Sequence, residues 1–326
     1  MVFLFLAASC IHWGVMIVPS PYAEQLHRIP VHERSLSVLG SDTHYWEYGD
    51  PAADTTIVMV HGFRGDHHGL EPVVAHLPGL RMISPDLPGF GASEPLPVTH
   101  DIEGYAAWLR AFVRALNPAG RTVILGHSFG SIVVAAALAD RRADAALEPN
   151  AVVLVNPIAA PALKGPRGVF TRLAVFYYWL GSVLPEQFGY ALLRNRIVVR
   201  IMSVAMAKTQ DKALRRWIHN QHDRYFSAFS DRGVVLEAFR ASVGNDVSEF
   251  AASIPFRTLL IAADKDDITP VSAQHRLVAL FPHAELEVIE GVGHLIHYEV
   301  PAQAAASIAR FLGTTPERGT GREPAA

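Results

Sequence analysis

The chain has 326 residues, half of them hydrophobic and 18% charged, and its 28 basic and 31 acidic residues give a formal net charge of −3. This apolar content is enough for a large buried core and excludes a disordered or collagen-like chain. The near-neutral charge argues against a dedicated nucleic-acid binder. Because Cys10 is the only cysteine, an intramolecular disulfide and a cysteine-based zinc site are excluded as well. The length predicts one large α/β unit or a core with a sizeable insertion.

The chain begins with a run, residues 1–18, that carries no charged residue. About 18–20 apolar residues can span a bilayer, so membrane association through 1–18 is one expectation. The run has no preceding lysine or arginine and no following A-x-A cleavage site, which a secretory signal would have. The alternatives are a true start at Met16 and an N-terminus packed on the protein. We expect a cytoplasmic protein, with membrane association or export as alternatives.

Short β-branched runs then alternate with amphipathic stretches. The runs TIVMV, TVILG, AVVLV and TLLIA are continuously apolar, which is typical of parallel strands buried on both faces. Helical patterns lie at Tyr105–Leu116, Gly130–Ala139 and Ala302–Leu312. The alternation predicts an α/β fold with a doubly wound, mostly parallel eight-stranded sheet. The predicted strands are Ser35–Leu39, His44–Tyr48, Thr56–His61, Arg81–Pro85, Thr122–Gly126, Ala151–Asn156, Thr258–Ala262 and Glu285–Ile289.

The alternation stops between Lys164 and Ser253, where the pattern is helical apart from one strand-like run at Ile197–Val204. This stretch holds 13 basic and seven acidic residues, whereas the rest of the chain is net acidic. Both changes favour an inserted helical cap. Its uncharged aromatic run Leu173–Pro185 is either a helix buried against the core or a lining for an apolar substrate group. The predicted organisation is an N-terminal segment at 1–33, an α/β core at 34–163 and 254–312, a helical cap at 164–253 and a disordered tail at 313–326.

The sequence G-H-S-F-G at Gly126–Gly130 lies between a buried strand and a helix-like run. In that setting G-x-S-x-G predicts a nucleophile elbow, a sharp turn that projects the serine hydroxyl clear of the sheet. Glycines on both sides fit the crowded, strained backbone of such a turn. N–H groups at the start of the following helix are placed to stabilise a developing oxyanion. Ser128 is therefore the predicted nucleophile.

A serine nucleophile needs a base and an acid that orients the base. His294 follows the last predicted strand in a glycine-containing loop, at the sheet edge of the nucleophile, and is the predicted base, with His297 as its rival. The loop after the preceding strand offers three aspartates. We predict Asp266 as the acid, Asp267 as the second choice and Asp264 as a loop-capping residue. Their spacing does not match a calcium-binding EF-hand loop.

With these residues the chain resembles the α/β-hydrolase fold family over Arg34–Leu312. The chain order of nucleophile, acid and base is that family's order. The H-G-F sequence at 61–63 resembles the family's oxyanion loop, and the stretch Asp86–Ser93 resembles its D-x-x-G-x-G-x-S sequence. The resemblance implies an oxyanion hole formed by the backbone N–H groups of Phe63 and Phe129.

The resemblance also implies a serine hydrolase that cleaves a carboxylic ester, thioester or lactone with an apolar acyl group through an acyl-enzyme, without a metal or cofactor. One alternative is a C–C bond hydrolase or cofactor-free perhydrolase on the same triad, although Leu295 stands where C–C hydrolases commonly have tryptophan. Another is a non-enzymatic receptor on the same scaffold. We interpret His67 and His68 as part of a polar loop and not as metal ligands. We expect no nucleic-acid partner.

Overall fold

The computed structural model describes residues 17–142, 146–160 and 168–314. The predicted uncharged run at 1–18 and tail at 313–326 therefore lie almost wholly outside the described residues. Across these three described ranges, no helix is both long enough and apolar enough to cross a membrane.

Eight strands form one sheet, as the sequence predicts. The strands are β1 (Val31–Val38), β2 (Ser41–Tyr48), β3 (Thr55–Val60), β4 (Arg81–Pro85), β5 (Arg121–His127), β6 (Ala151–Val155), β7 (Thr258–Ala263) and β8 (Ala284–Ile289). Their order across the sheet is β1-β2-β4-β3-β5-β6-β7-β8. The β1–β2 and β2–β4 pairs are antiparallel and the other pairs are parallel. The predicted fold class is confirmed.

Helices connect the strands and cover both faces of the sheet. The α-helices of the described residues are α1 (Ala23–Leu26), α2 (Glu71–Val74), α3 (Ile102–Leu116), α4 (Phe129–Ala139), α5 (Gly168–Val183), α6 (Glu186–Leu193), α7 (Arg196–Met206), α8 (Lys212–Tyr225), α9 (Arg232–Gly244), α10 (Val271–Val278), α11 (Ile296–Glu299) and α12 (Pro301–Leu312). Short 3-10 turns lie at His67–Gly69, Val247–Glu249 and Ala251–Ser253.

The sheet is buried on both faces because successive side chains of a strand point to opposite sides. In β3, Ile57 and Met59 pack into the core cluster that holds α2 and α12. Val58 and Val60 pack into the cluster on the other face, with α3 and α4. All four are fully buried, which explains why the central strands are continuously apolar.

Five helices, α5–α9, lie between β6 and β7; we call them the helical segment. The strand-like run Ile197–Val204 is wrong as a strand, because it lies inside α7. Asn195 begins that helix, since its side chain accepts hydrogen bonds from the Ile197 and Val198 N–H groups. The predicted cap stays a prediction, with its boundaries at 164 and 253, and 164–167 lie outside the described residues.

The parallel arrangement places three loops at one edge of the sheet. Strands β5, β6, β7 and β8 are adjacent and parallel, so their carboxyl ends meet at the same edge. The loops that leave β5, β7 and β8 carry Ser128, Asp266 and His294. In open α/β sheets this edge is where ligands bind.

Candidate active site

Ser128 sits on a strained turn between β5 and α4. Its backbone has φ +52° and ψ −119°, in the left-handed half of conformational space that residues with side chains rarely adopt. The neighbouring glycines are required sterically. A Cβ at Gly130 would lie 2.3 Å from the Val60 carbonyl oxygen, and one at Gly126 would lie 2.6 Å from the Gly130 carbonyl oxygen. The turn therefore has the geometry predicted for a nucleophile elbow.

His294 links Ser128 to Asp266 through both of its ring nitrogens. The His294 Nε2 atom lies 2.8 Å from the Ser128 Oγ atom, and Nδ1 lies 2.8 Å from the Asp266 Oδ2 atom. Both contacts form because the three side chains come from loops that leave parallel strands at the same sheet edge. The geometry is that of a nucleophile, a base and an orienting acid.

The other Asp266 oxygen fixes the carboxylate in place. Oδ1 accepts hydrogen bonds from the Ile268 N–H at 2.7 Å and the Thr269 N–H at 3.1 Å. Burial alone would raise the pKa of Asp266, but His294 and these two backbone donors outweigh burial and hold that pKa below its usual value. The ionised carboxylate can only accept a hydrogen bond. The His294 proton therefore lies on Nδ1, and Nε2 is free to accept the Ser128 hydroxyl proton.

The other candidates for the acid and the base, Asp267, Asp264 and His297, have different neighbours. Asp267 pairs with the Lys208 ammonium at 2.5 Å, on the side of the helical segment. Asp264 accepts a hydrogen bond from the Val292 N–H at 3.2 Å, so it joins the two loops as a capping residue would. His297 lies on α11 with its ring 4.1 Å from that of His127, and burial holds its pKa well below the usual value.

The loop after β3 passes directly beside the elbow. A Cβ at Gly62 would lie 3.3 Å from the Ser128 Cβ atom. The buried His61 ring holds this loop, because Nδ1–H donates to the Gly62 carbonyl at 2.8 Å and Nε2 accepts from the Leu87 N–H at 2.8 Å. Burial lowers the pKa of His61, which keeps the ring neutral in this tautomer. Phe63 therefore lies next to the nucleophile.

Phe129 supplies the second predicted oxyanion donor. It is the first residue of α4, so its N–H has no acceptor within the helix. Together with the N–H of Phe63 it borders Ser128, and the use of both groups as an oxyanion hole stays a prediction.

Two supports of the site were missed by the sequence analysis because their residue types are ordinary. The Asn156 side chain donates to the His294 carbonyl oxygen at 2.6 Å, from a backbone with φ +45° at the end of β6. The buried Ser131 hydroxyl donates to the Ser128 carbonyl oxygen at 2.5 Å and accepts from the Ile158 N–H at 3.2 Å. An asparagine directly after a buried strand is the one hint that the sequence offers.

Arg64 is a third support and is only 1% exposed. Its guanidinium donates to the Phe226 carbonyl at 2.8 Å, to the Leu193 carbonyl at 2.7 Å and to the Tyr178 hydroxyl at 3.1 Å. Phe226 and Leu193 stand at the C-terminal ends of α8 and α6, where helix dipoles favour a cation. Arg64 therefore ties the oxyanion loop to three helices of the helical segment.

Aromatic rings cluster around Phe63, which follows the loop beside Ser128. The Phe63 ring lies 5.9–6.2 Å from the rings of Phe90, Phe129, Tyr178 and Phe239. Tyr178 and Phe239 belong to α5 and α9, so the helical segment supplies part of this wall. An apolar substrate group would be desolvated favourably here.

His67 and His68 meet Asp66 in a cluster whose nitrogen and oxygen atoms lie within 4.8 Å of one another. Each ring already has a partner: His67 Nδ1 lies 2.9 Å from the buried Asp86 carboxylate, and His68 Nδ1 lies 3.2 Å from Asp66. Both histidines lie in a turn with polar partners, as the polar-loop interpretation has it, although His67 is buried and stacked on Trp46. The expectation that the protein needs no metal stays a prediction.

Comparisons with known proteins agree with this architecture. A sequence model of the alpha/beta hydrolase fold matches residues 55–301. The chain is 25% identical over 265 residues to a pimeloyl-[acyl-carrier protein] methyl ester esterase of Xanthomonas campestris pv. campestris, covering 80% of this chain and 96% of that protein. It is 21% identical to Lipase 3 of Moraxella sp., covering 85% of this chain and 84% of the lipase.

A solved structure has the same fold. The esterase EaEST from Exiguobacterium antarcticum superposes with a TM-score of 0.69 at 16% identity, over 87% of this chain and all of that one. The sheet order, the turn at Ser128 and the match of the family model over most of the chain lead to one conclusion: the protein belongs to the α/β-hydrolase family, and it is a hydrolase.

Proposed function

We propose that the protein is a serine hydrolase that cleaves a carboxylic ester, or a thioester or lactone, through an acyl-enzyme. The observation that carries the proposal is the relay from the Ser128 hydroxyl through the His294 ring to the Asp266 carboxylate, with 2.8 Å at each step. The esterase and lipase named among the relatives support an ester as the substrate.

In the first step, the Ser128 oxygen attacks the carbonyl carbon while the His294 Nε2 atom takes the hydroxyl proton. The imidazolium that forms is stabilised by the ionised Asp266 carboxylate 2.8 Å away. The low pKa of Asp266 suits this role because it keeps the carboxylate ionised. The negative charge then stabilises the positive charge that forms on His294.

The tetrahedral intermediate carries an oxyanion. The backbone N–H groups of Phe63 and Phe129 are the donors beside Ser128, and one donor of this kind is worth about 3–4 kcal/mol in transition-state stabilisation. His294 then gives its proton to the leaving alcohol, and the acyl group stays on Ser128. Water, deprotonated by the same ring, attacks the acyl-enzyme and releases the acid.

The helical segment is proposed to act as a cap that selects the acyl group. Its Tyr178 and Phe239 stack at 3.8 Å, and both rings face Phe63. The wall that they form favours an apolar group of modest size over a charged one.

The direct test is hydrolysis of p-nitrophenyl butyrate by the purified protein. Wild-type protein should release p-nitrophenol, and Ser128→Ala should lower kcat/KM by about 10³-fold or more. The exposed Ser272→Ala, which changes a serine remote from the elbow, should behave as wild type. Hydrolysis that persists unchanged in Ser128→Ala would refute the proposal.

A substrate panel separates the alternatives. Esters, thioesters and lactones should be turned over, whereas a C–C hydrolase would act on a β-diketone and a perhydrolase would form a peracid from acetate and hydrogen peroxide. A pure receptor would turn over none of them and would resist fluorophosphonate probes.

A further inference from the structure

The helical segment presents large apolar side chains to solvent on three consecutive helices, α5–α7. Between 53% and 71% of each of these side chains is exposed, and we call the set the apolar face: Phe176, Trp179 and Val183 on α5, Phe188 on α6, and Ile197 and Ile201 on α7. Single exposed apolar residues are ordinary on a protein surface, but a group of this kind marks an interaction site.

The apolar-face residues of α5 lie on one side of that helix, which faces outward. On α5 the members follow at intervals of three and four residues, so they share one side of the helix. Tyr178 is buried on the opposite side, against the site. On α7 the buried residues are only Val199 and Ser203. The outward apolar side is therefore not needed for packing within the described protein.

Positive charge accompanies the apolar face. Between residues 172 and 204 the chain has four arginines and one acidic residue, Glu186, and all five are exposed. Arg200 is paired with Asp223, whereas Arg172, Arg194 and Arg196 flank the apolar residues. An anionic phospholipid bilayer has an apolar interior beneath negatively charged headgroups. Apolar side chains flanked by arginines match such a surface.

The N-terminus reaches the described structure beside α8, which packs on α7. Val18 donates its backbone N–H to the Asn220 side chain of α8 at 3.1 Å. Helix α8 is joined to α7 by a hydrogen bond of 2.6 Å between Ser203 and His219. Ile17, the first described residue, is 68% exposed, and the 16 residues before it carry no charge. The uncharged stretch of sequence therefore joins the described structure next to the helix that packs on α7.

From these observations we propose that the apolar face of α5–α7 docks on the surface of an anionic phospholipid bilayer, with its arginines at the headgroups. Helix α5 then lies between the lipid and the site, with Trp179 toward the bilayer and Tyr178 toward Phe63. The docking places the active site one helix away from lipid-dissolved acyl substrates.

The test is co-sedimentation of the full-length protein with phosphatidylcholine vesicles that contain or lack phosphatidylglycerol. The double variant Phe176→Gln/Ile201→Gln removes two members of the apolar face. Its matched control, Val98→Gln/Leu280→Gln, removes apolar side chains that are 59% and 45% exposed outside the helical segment. Wild type and control should bind the anionic vesicles alike, and the apolar-face variant should bind roughly tenfold or more weakly.

Charge is tested by single substitutions. Arg196→Gln should weaken binding to vesicles with phosphatidylglycerol about fivefold and leave binding to pure phosphatidylcholine unchanged. The control Arg276→Gln changes an exposed arginine of α10, outside the helical segment, and should have no effect on either vesicle.

Three results would overturn the proposal: no vesicle binding by the full chain, equal binding by the apolar-face variant and its control, or a dimer in light scattering that only the apolar-face variant loses. The last result would assign the face to a second copy of the chain. Hydrolysis of a water-soluble ester by the same variants should stay at the wild-type rate, so failure of membrane docking is distinguishable from failure of the proposed function.

Discussion

The sheet core and the helical segment place their apolar residues in opposite ways. In the core, strands such as β3 bury every side chain, alternately on the two faces. In the helical segment, α5 and α7 bury few side chains and expose Trp179 and Ile201 by more than half. The core is thus stabilised by its own packing and holds the reacting side chains rigidly. The helical segment contributes a wall of the site and keeps an apolar surface for something outside the chain.

The largest effect is expected at two adjacent aspartates. Asp266 pairs with His294, and Asp267 pairs with Lys208 on the side of the helical segment. Asp266→Asn removes the carboxylate that holds the His294 tautomer, and kcat/KM for p-nitrophenyl butyrate should fall about 10⁴-fold. Asp267→Asn removes the carboxylate that pairs with Lys208, and should change kcat/KM by less than about threefold. Equal activity of the two variants would show that the chemistry does not depend on the core loop as described.

The second prediction compares two isoleucines. Ile261 in β7 is fully buried, so Ile261→Ala should lower the free energy of unfolding by about 2–5 kcal/mol. Ile201 in α7 is 63% exposed, so Ile201→Ala should change it by no more than about 0.5 kcal/mol. Urea titrations followed by circular dichroism measure both. A large loss from Ile201→Ala would mean that the helical segment packs like the core.

Arg64 is the link between the two regions. Arg64→Met leaves the Phe226 and Leu193 carbonyls without their buried donor, and should lower the free energy of unfolding by about 2–4 kcal/mol. The exposed Arg141→Met, which loses a surface pair with Glu148, should cost less than about 1 kcal/mol. Because Arg64 follows the oxyanion loop, kcat should fall in Arg64→Met more than KM rises. Equal free energies of unfolding for Arg64→Met and Arg141→Met would show that Arg64 does not link the two regions.

The last prediction concerns two buried histidines, His222 in α8 and His127 at the end of β5. Burial, with the positive charges of His219 and Arg200, lowers the pKa of His222 to about 3, and burial likewise lowers the pKa of His127 to about 3. The unfolded chain takes up these protons near pH 6.5, so it binds more protons than the folded protein between about pH 6.5 and 3. The free energy of unfolding should therefore fall with decreasing pH in that window, by up to about 1.4 kcal/mol per pH unit for each group.

The variant His222→Leu should make this pH dependence shallower, whereas replacement of the exposed His283 by leucine should leave its slope unchanged. Denaturant titrations at several pH values between about 7 and 4 give the slopes. A His222→Leu slope equal to that of wild type would show that this ring is not held neutral.

The sheet was predictable because its signal is local. β4 has the bounds that the sequence predicts, and the other strands differ by one to four residues at an end. The largest difference is at β1, which begins at Val31 instead of Ser35. Its first residues are exposed and, apart from Val31, polar, so no apolar run marks them. Backbone pairing with β2 holds these residues in the strand, and their own side chains give no sign of that pairing.

The candidate triad was predictable for a topological reason. Parallel strands bring the residues after their carboxyl ends to one edge, so the G-x-S-x-G turn and the loops after the last two strands were enough to predict that Ser128, an aspartate of the 264–267 loop and His294 meet. The choice of Asp266 over Asp267 depends on which side chain turns inward, and the sequence favoured Asp266 only by its spacing to Pro270 and His294. Arg64 and the outward side of α5 were not predictable, because the same residue types occur on ordinary surfaces and in ordinary buried helices.

The central claim is tested most directly by labelling the full-length protein with a fluorophosphonate probe and mapping the adduct by tandem mass spectrometry. A serine made nucleophilic by His294 and Asp266 should take one probe per chain, at Ser128, and the variants Ser128→Ala and His294→Ala should stay unlabelled. A probe found on another residue, or labelling of Ser128→Ala equal to that of wild type, would contradict the account.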